Sequence, residues 1–168
     1  MTELGASKIP RGAESSEAVH SEVWRQAEGA KVLYRASKIQ RAALVKKGVP
    51  ARYAVGLAAR MHISKDKFYT TVGLSRATID RKVKVNKRLS PDESERVMGI
   101  TRLVGQAQSL VEESGGPKGF DAAQWLAEWL DHPLPALGGR RPGQFMDTAD
   151  GRALVSDLLA QQQSGAYA

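Results

Sequence analysis

The chain of 168 residues contains no cysteine, and this absence excludes several kinds of protein at once. Without cysteine there is no disulfide framework, no thiol nucleophile and no thiolate ligand for a metal. The three histidines, His20, His62 and His132, are too far apart in the sequence to form a three-histidine cluster at helical spacing. Redox and zinc chemistry are therefore largely excluded, and we expect no cofactor and no bound metal.

Long apolar runs and aromatic residues are also scarce. No stretch approaches the ~20 apolar residues needed to cross a bilayer, and the first residues, MTELGASKIPRGAESSE, lack the apolar centre of a secretory signal. We therefore expect a cytoplasmic protein with no membrane contact. Aromatic residues make up only 6% of the chain, which favours an all-α fold over a β-sandwich rich in β-branched and aromatic pairs.

Catalytic residue patterns are missing as well. There is no His–carboxylate pair at a defined spacing and no serine in the setting of a nucleophile elbow. The run Gly138-Gly139-Arg140-Arg141 lacks both the spacing and the Lys-Ser/Thr of a phosphate-binding P-loop. We therefore expect that the protein is not an enzyme.

Positive and negative charges are distributed unequally along the chain. Residues 1–89 hold 19 Lys and Arg against 7 Asp and Glu, whereas residues 90–168 hold 6 against 11. A basic segment attracts nucleic-acid phosphates through counterion release, and an acidic, more apolar segment packs on itself or on another protein. The alternative for the basic half is an ordinary solvated surface.

Composition and apolar spacing divide the chain into three parts. Residues 1–16 are rich in Ser, Gly, Ala and Glu, which is typical of a disordered tail. Residues 17–89 form a basic helical region, in which the spacing predicts a helical pattern over 19–45 that is broken or bent near Gly29 and a second helix from Pro50 to Met61. Residues 90–168 form an acidic helical domain, expected to pack on itself or on another protein, with a polar C-terminal tail.

Residues 63–83 have the spacing of a helix-turn-helix. Ser64 is expected to cap one short helix, Gly73 to supply a left-handed turn and Ser75 to cap a second helix. Tyr69 stands where the two helices cross and where a small residue is usual, so its ring is expected to affect the crossing angle and the docking in a DNA groove. The side chains expected to form the small core between the helices are Phe68, Val72, Leu74, Ile79 and Val83.

The second helix of such a motif lies in the major groove, so its outward side chains need cations or hydrogen-bonding groups. Arg76 or Arg81 is expected to read a guanine, and Thr78 to contact a phosphate or a thymine methyl group. The alternative is that two short helices around a glycine are a common feature of all-α proteins. The predicted DNA-binding residues are Lys65, Lys67, Ser75, Arg76, Thr78, Arg81, Lys82 and Lys84.

The acidic half contains strong helix signals and one irregular loop. Ser90-Pro91-Asp92-Glu93 predicts a capping box at the start of a long amphipathic helix that ends near residues 115–117. A short helix over 120–130 follows, and Thr148 is expected to cap a last helix. Between them, residues 133–142 combine three prolines and two glycines with two arginines, as expected of a stiff recognition loop. The residues expected to face inward from the last helix are Leu154, Val155, Leu158 and Leu159.

Several stretches between about residue 45 and the C-terminus form a recognisable pattern. They are Gly48-Val49-Pro50-Ala51, residues 74–81, residues 89–96, Trp129-Leu130, residues 136–142 and Gly151. With these stretches, the sequence resembles the Xre/ParS/MbcA antitoxins of type II toxin–antitoxin systems. The resemblance implies an Xre-like N-terminal DNA-binding domain followed by a small helical toxin-binding domain.

The same resemblance implies partners and a second set of site residues. The implied partner is a RES-type toxin that destroys NAD and is neutralised when the antitoxin covers its active site. Family members also dimerise, form larger toxin–antitoxin hetero-oligomers and repress their own operon by binding operator DNA. The alternative is a stand-alone helix-turn-helix repressor whose C-terminal half only dimerises. The implied toxin-binding residues are Leu137, Gly138, Gly139, Arg140, Pro142, Gly165, Tyr167 and Ala168.

Overall fold

The structure, a computed structural model, describes residues 29–163, and this part contains α-helices and short turns but no strand. It confirms the all-α class. None of the helices in this part is both long and apolar enough to cross a membrane. The helices are α1 (Gly29–Arg35), α2 (Lys38–Lys47), α3 (Ala51–Arg60), α4 (Lys65–Val72), α5 (Arg76–Lys84), α6 (Pro91–Glu113), α7 (Ala122–Leu130) and α8 (Ala149–Gln163), with 3₁₀ turns at Pro135–Leu137 and Pro142–Phe145.

Helix α6 is the centre of the fold, because α1, α2, α4, α7 and α8 all pack against it. It begins with the predicted capping box: the Glu93 N–H donates to Ser90 Oγ at 3.3 Å, and the Ser90 N–H donates to Glu93 Oε2 at 2.7 Å. Its apolar positions are buried on several sides rather than along one stripe. The buried apolar side chains of α6 are Val97, Met98, Ile100, Leu103, Val104 and Ala107.

Buried polar groups on α6 hold neighbouring elements at fixed positions. The Val49 N–H, in the turn between α2 and α3, donates to the buried Ser94 Oγ at 2.9 Å. The Gln106 side chain donates to the Ser156 carbonyl oxygen at 2.9 Å and accepts from Ser156 Oγ at 2.8 Å. The Ser94 bond fixes the turn before α3 against α6, and the Gln106 bonds fix the register of α8 against α6 while offsetting the cost of burying these polar groups.

The predicted break or bend near Gly29 falls at the edge of the described residues, since Gly29 is the first of them and the first described residue of α1, and it stays a prediction. A break that the spacing did not predict follows Arg35. Ser37 forms a capping box with Gln40 and starts α2: the Gln40 N–H donates to Ser37 Oγ at 3.2 Å, and the Ser37 N–H donates to Gln40 Oε1 at 2.8 Å. Pro50 occupies the cap position before α3 rather than its first turn. The predicted tail, residues 1–16, and the helical pattern over 19–28 lie outside the described residues.

The last helix agrees with its prediction except at one position. The Gly151 N–H donates to Thr148 Oγ1 at 3.0 Å, which confirms the predicted cap. Val155, Leu158 and Leu159 are buried, but Leu154 is 39% exposed and does not face the core. The apolar stripe of α8 is therefore narrower than the sequence predicts, because only one face of this helix packs on α6.

A glycine makes the contact between α1 and α6 possible. A Cβ at Gly105 would lie 2.0 Å from the carbonyl oxygen of Ala30 and 2.9 Å from Tyr34 Cβ. These are backbone and Cβ atoms that cannot turn away. The bare α-carbon of Gly105 therefore sets how closely the two helices approach.

Gly105→Ala is expected to lower the free energy of unfolding by about 1–3 kcal/mol, because the added methyl group must push α1 away from α6. Gly56, in the exposed face of α3 with no atom within 4 Å of its virtual Cβ, is the matched control. Gly56→Ala is expected to stabilise by up to about 1 kcal/mol through its helix propensity. Urea unfolding followed by circular dichroism measures both, and similar effects of the two changes would contradict this role of Gly105.

Candidate functional site

Helices α4 and α5 form the predicted helix-turn-helix. The Lys67 N–H donates to Ser64 Oγ at 3.1 Å, and Gly73 ends α4 in the left-handed region at φ 71° and ψ 38°. Phe68, Val72, Leu74 and Ile79 are buried and Val83 is partly buried, as predicted. Ser75 stands at the cap position of α5, but its side chain makes no capping hydrogen bond, so its predicted capping role is wrong.

Tyr69 fills the crossing between the two helices. Its side chain is 1% exposed, its ring packs edge-on against Phe68 with centroids 6.3 Å apart, and its hydroxyl donates to Asp80 Oδ1 at 3.4 Å. Burial and then the negative charge of Asp80 raise the pKa of Tyr69 to about 12. The bulky ring is thus accommodated inside the motif, and its hydroxyl remains protonated and bonded to α5.

Asp80 forms ion pairs with two cations of the motif, Lys65 and Arg76. Lys65 Nζ donates to its two carboxylate oxygens at 3.1 and 3.2 Å, and Arg76 Nε lies 3.7 Å from Oδ2. Arg76 also donates through Nη1 to Asp66 Oδ2 at 2.9 Å. The hydrogen bond from Lys65 lowers the pKa of Asp80. Two cations predicted to contact DNA are therefore paired with two carboxylates inside the motif.

Two further predicted DNA-binding lysines are paired with acids outside the motif. Lys67 forms an ion pair with Asp131 at the end of α7. Lys82 forms one with Glu93 of the α6 capping box, and its side chain is only 19% exposed. Burial alone would raise the pKa of Glu93, but the Lys82 ammonium and the Ser90 amide lower it below its usual value. Lys82 does not face outward as predicted, because it ties α5 to α6.

Positive charge that no carboxylate of the described chain neutralises lies at the end of α5 and in the turn that follows it. Arg81 and Lys84 are exposed on α5, and Lys87 is exposed in the turn after it. No carboxylate in residues 29–163 forms an ion pair with any of these three side chains. Thr78 is half-buried on the same helix. Lys87 was not among the predicted site residues, although it follows the basic run of α5 directly.

On the opposite half of the sequence, residues 133–142, which we name the Gly-Arg loop, fold back on themselves. The Leu134 N–H donates to the Arg140 carbonyl oxygen at 3.0 Å, and the Gly139 N–H donates back to the Leu134 carbonyl oxygen at 3.0 Å. The Gly138 N–H closes a tight turn on the Pro135 carbonyl oxygen at 2.9 Å. The loop therefore has a hydrogen-bonded conformation of its own.

The tip of the Gly-Arg loop consists of exposed backbone. Gly138 and Gly139 both have positive φ, 62° and 79°, and no atom lies within 4 Å of a Cβ built at either one. The glycines are thus needed for the left-handed backbone and not for internal space. A partner can approach this tip as closely as a peptide backbone allows.

Arg140 is the oriented side chain at this tip. Its Nε donates to the Leu137 carbonyl oxygen at 3.1 Å, and its guanidinium lies 5.0 Å from the centre of the Phe145 ring. Leu137, 6% exposed, and Pro142 are buried and anchor the two ends of the turn. Gly138, Gly139 and Arg140 are exposed, whereas Gly165, Tyr167 and Ala168 lie outside the described residues.

Comparison with known proteins matches the region of the helix-turn-helix and the region of the Gly-Arg loop to two antitoxin family models. Residues 40–102 match the family model of the antitoxin Xre-like helix-turn-helix domain, and residues 106–165 match that of the antitoxin Xre/MbcA/ParS C-terminal toxin-binding domain. The chain is 47% identical over 138 residues to the "Prs ADP-ribosylating antitoxin" of Sphingobium sp. (strain YBL2), covering 82% of this chain and 87% of that protein. The chain belongs to the Xre/MbcA/ParS antitoxin family. It is also 28% identical over 105 residues to "Antitoxin Xre" of Yersinia enterocolitica serotype O:8 / biotype 1B (strain NCTC 13174 / 8081), covering 62% and 66% of the two chains.

The family assignment gives the antitoxin a helix-turn-helix domain and a toxin-binding domain, and therefore a toxin as partner. The toxin-binding match contains the whole Gly-Arg loop, and the other match contains α4 and α5. The two matches meet inside α6, so a single helix joins the two parts of the antitoxin. In residues 29–163 no three His, Asp or Glu side chains are grouped so that they could hold a metal ion.

Proposed function

We propose that this antitoxin neutralises a RES-type, NAD-consuming toxin by covering its active-site entrance with the Gly-Arg loop, and that its helix-turn-helix represses its own operon. The observation that carries the proposal is the exposed, hydrogen-bonded tip of residues 138–140 inside the toxin-binding region. The homodimer and the larger toxin–antitoxin assembly implied by the resemblance belong to the same proposal.

The Gly-Arg loop suits this role because it is ordered before a partner arrives. A loop with its own hydrogen bonds and buried anchors loses little conformational entropy on binding, so more of the contact energy appears as affinity. Arg140 contributes a positive charge in a fixed orientation, since its guanidinium is already held by the Leu137 carbonyl oxygen and the Phe145 ring. A planar guanidinium pairs well with carboxylates and other oxygen acceptors.

The name of the Sphingobium relative connects that protein with ADP-ribosylation of Prs. ADP-ribosyl transfer and NAD hydrolysis both break the bond between nicotinamide and ribose, and both require a pocket that accepts the NAD pyrophosphate. A toxin of either kind is inactivated if this pocket is closed. Acidic or polar groups at such an entrance would be the natural partners of Arg140.

Arg140→Ala is expected to weaken the complex with the purified cognate toxin about tenfold or more, because an oriented, charge-assisted contact is lost. NAD consumption by the toxin–antitoxin mixture should rise in parallel. The matched control is Arg141→Ala, which removes an adjacent exposed arginine of the same charge. Biolayer interferometry gives the affinities, and equal effects of the two substitutions, or none, would contradict contact through Arg140.

For DNA binding, the proposal rests on Arg81, Lys84 and Lys87, whose charges are not neutralised within the described chain. Such cations contribute affinity through phosphate contacts and release of counterions. Arg81, on the exposed surface of α5, is also long enough to reach a base edge in the major groove. Two copies in a dimer would place two α5 helices on successive half-sites of an operator.

Arg81→Ala is expected to cost about 1–3 kcal/mol of operator affinity and to relax sequence preference, because a base contact is lost. Lys87→Ala should weaken all DNA sequences alike and reduce the slope of log K against log salt by about one. Fluorescence anisotropy with operator and scrambled duplexes over a salt series separates the two effects. Equal losses on both duplexes for both substitutions would argue against base reading by Arg81.

Asp80→Asn is expected to strengthen binding to any duplex and to steepen its salt dependence, because it releases Lys65 and Arg76 from their shared carboxylate. Asp150→Asn makes the same change in net charge at an exposed position of α8 and serves as the control. Anisotropy titrations of both variants against a scrambled duplex measure the effect. If both substitutions raised the affinity by the same factor, net charge rather than release of these cations would explain the gain.

A further inference from the structure

A cleft between α1, α2, α6 and α8 is lined by more cationic than anionic side chains. Its volume is about 430 Å³. Four cations from three helices line it, Lys38 and Arg41 on α2, Arg102 on α6 and Arg152 on α8, together with two carboxylates, Glu95 and Asp157. None of the cations forms an ion pair with a carboxylate in the part of the chain that the structure describes.

Arg102 is the cleft side chain that has a buried hydrogen-bond donor without an acceptor in the described part of the chain. This donor is Nε, which has no hydrogen-bond partner within residues 29–163. Burial lowers the pKa of its guanidinium and the neighbouring charge of Arg41 lowers it further, which outweighs the opposite effect of Tyr34. An arginine nevertheless stays charged in proteins. A buried cationic donor without an acceptor is costly, so this arrangement requires an explanation.

The two other arginines are held in place by the protein. The Arg152 stem lies directly over Gly99, where a Cβ would be 2.5 Å from Arg152 Cδ, and its Nη1 donates to the Met146 carbonyl oxygen at 3.1 Å. Arg41 donates through Nη1 to the Ala36 carbonyl oxygen. Each guanidinium has five N–H donors, so both keep donors available for a further acceptor.

We propose that this cleft binds a phosphate-bearing small molecule of about mononucleotide size. Guanidinium groups converging from three helices match the several oxygens of a phosphate group. The volume lies within the range of ligand pockets, and Tyr34 and Met98 add an apolar surface for an organic ring. Glu95 and Asp157 limit the excess charge, which disfavours a polyanion such as nucleic acid and leaves acceptors for ligand hydroxyl groups.

The test is calorimetric titration of the full chain with ADP as the probe, beside AMP, adenosine and inorganic phosphate, in the absence of DNA and toxin. We expect ADP to bind with a Kd below about 1 mM and at least about tenfold more tightly than adenosine or inorganic phosphate. Arg102→Ala and Arg41→Ala should each weaken ADP binding about tenfold or more. Arg52→Ala, which removes an exposed arginine of α3 outside the cleft, should leave ADP binding unchanged.

Several results would overturn the proposal. One is the absence of binding heat with ADP up to about 10 mM in the wild-type chain. Another is unchanged ADP affinity in Arg41→Ala, which tests the cleft even if Arg102→Ala fails to fold, as its thermal melt would reveal. Adenosine or inorganic phosphate binding as tightly as ADP would contradict the phosphate requirement or the mononucleotide size. A loss of operator affinity in Arg102→Ala without any change towards ADP would assign the cleft to nucleic acid instead.

Discussion

The burial of α6 is the constraint on which the rest of the structure depends. Five other helices pack on it, and its apolar side chains face them on several sides. Because α6 runs through the junction of the two family-matched regions, the helix-turn-helix and the toxin-binding region share one continuous core. The position of each surface relative to the other is therefore fixed by how the neighbouring helices seat on α6, including the close approach that Gly105 permits.

Ion pairs then determine which positive charges are available to a partner. The start of the helix-turn-helix is nearly neutral, because Asp66 and Asp80 hold Arg76 and Lys65. Lys67 and Lys82 serve to tie the motif to α7 and α6. The exposed pairs among these add little stability, whereas the Lys82–Glu93 pair is mostly buried. The main consequence of the pairs is electrostatic, since they move the net positive charge from the beginning of α5 towards its end and the following turn.

Local signals in the sequence predicted much of this fold, whereas the pairing of side chains across helices could not be predicted. Ser64, Ser90 and Thr148 cap helices as expected because a cap depends on residues three positions apart. Ser37 and Gln40 offer the same three-residue signal for the break after Arg35, although the apolar spacing across that position predicts a continuous helix. The inward direction of Lys82 depends on Glu93 in another helix. The cleft around Arg102 combines residues that are distant in the sequence, and no spacing rule brings them together.

In the proposed function, the Gly-Arg loop supplies a binding surface on a rigid scaffold. Leu137 and Pro142 are buried, so they contribute by fixing the ends of the turn rather than by facing a partner. Between them the chain exposes two glycines without side chains and one arginine that is already oriented. Such a tip has few side-chain atoms to offer, so under this proposal its selectivity for a toxin comes mainly from backbone shape and from the single charge of Arg140. Changes that alter the turn should therefore affect recognition as strongly as changes to the arginine itself.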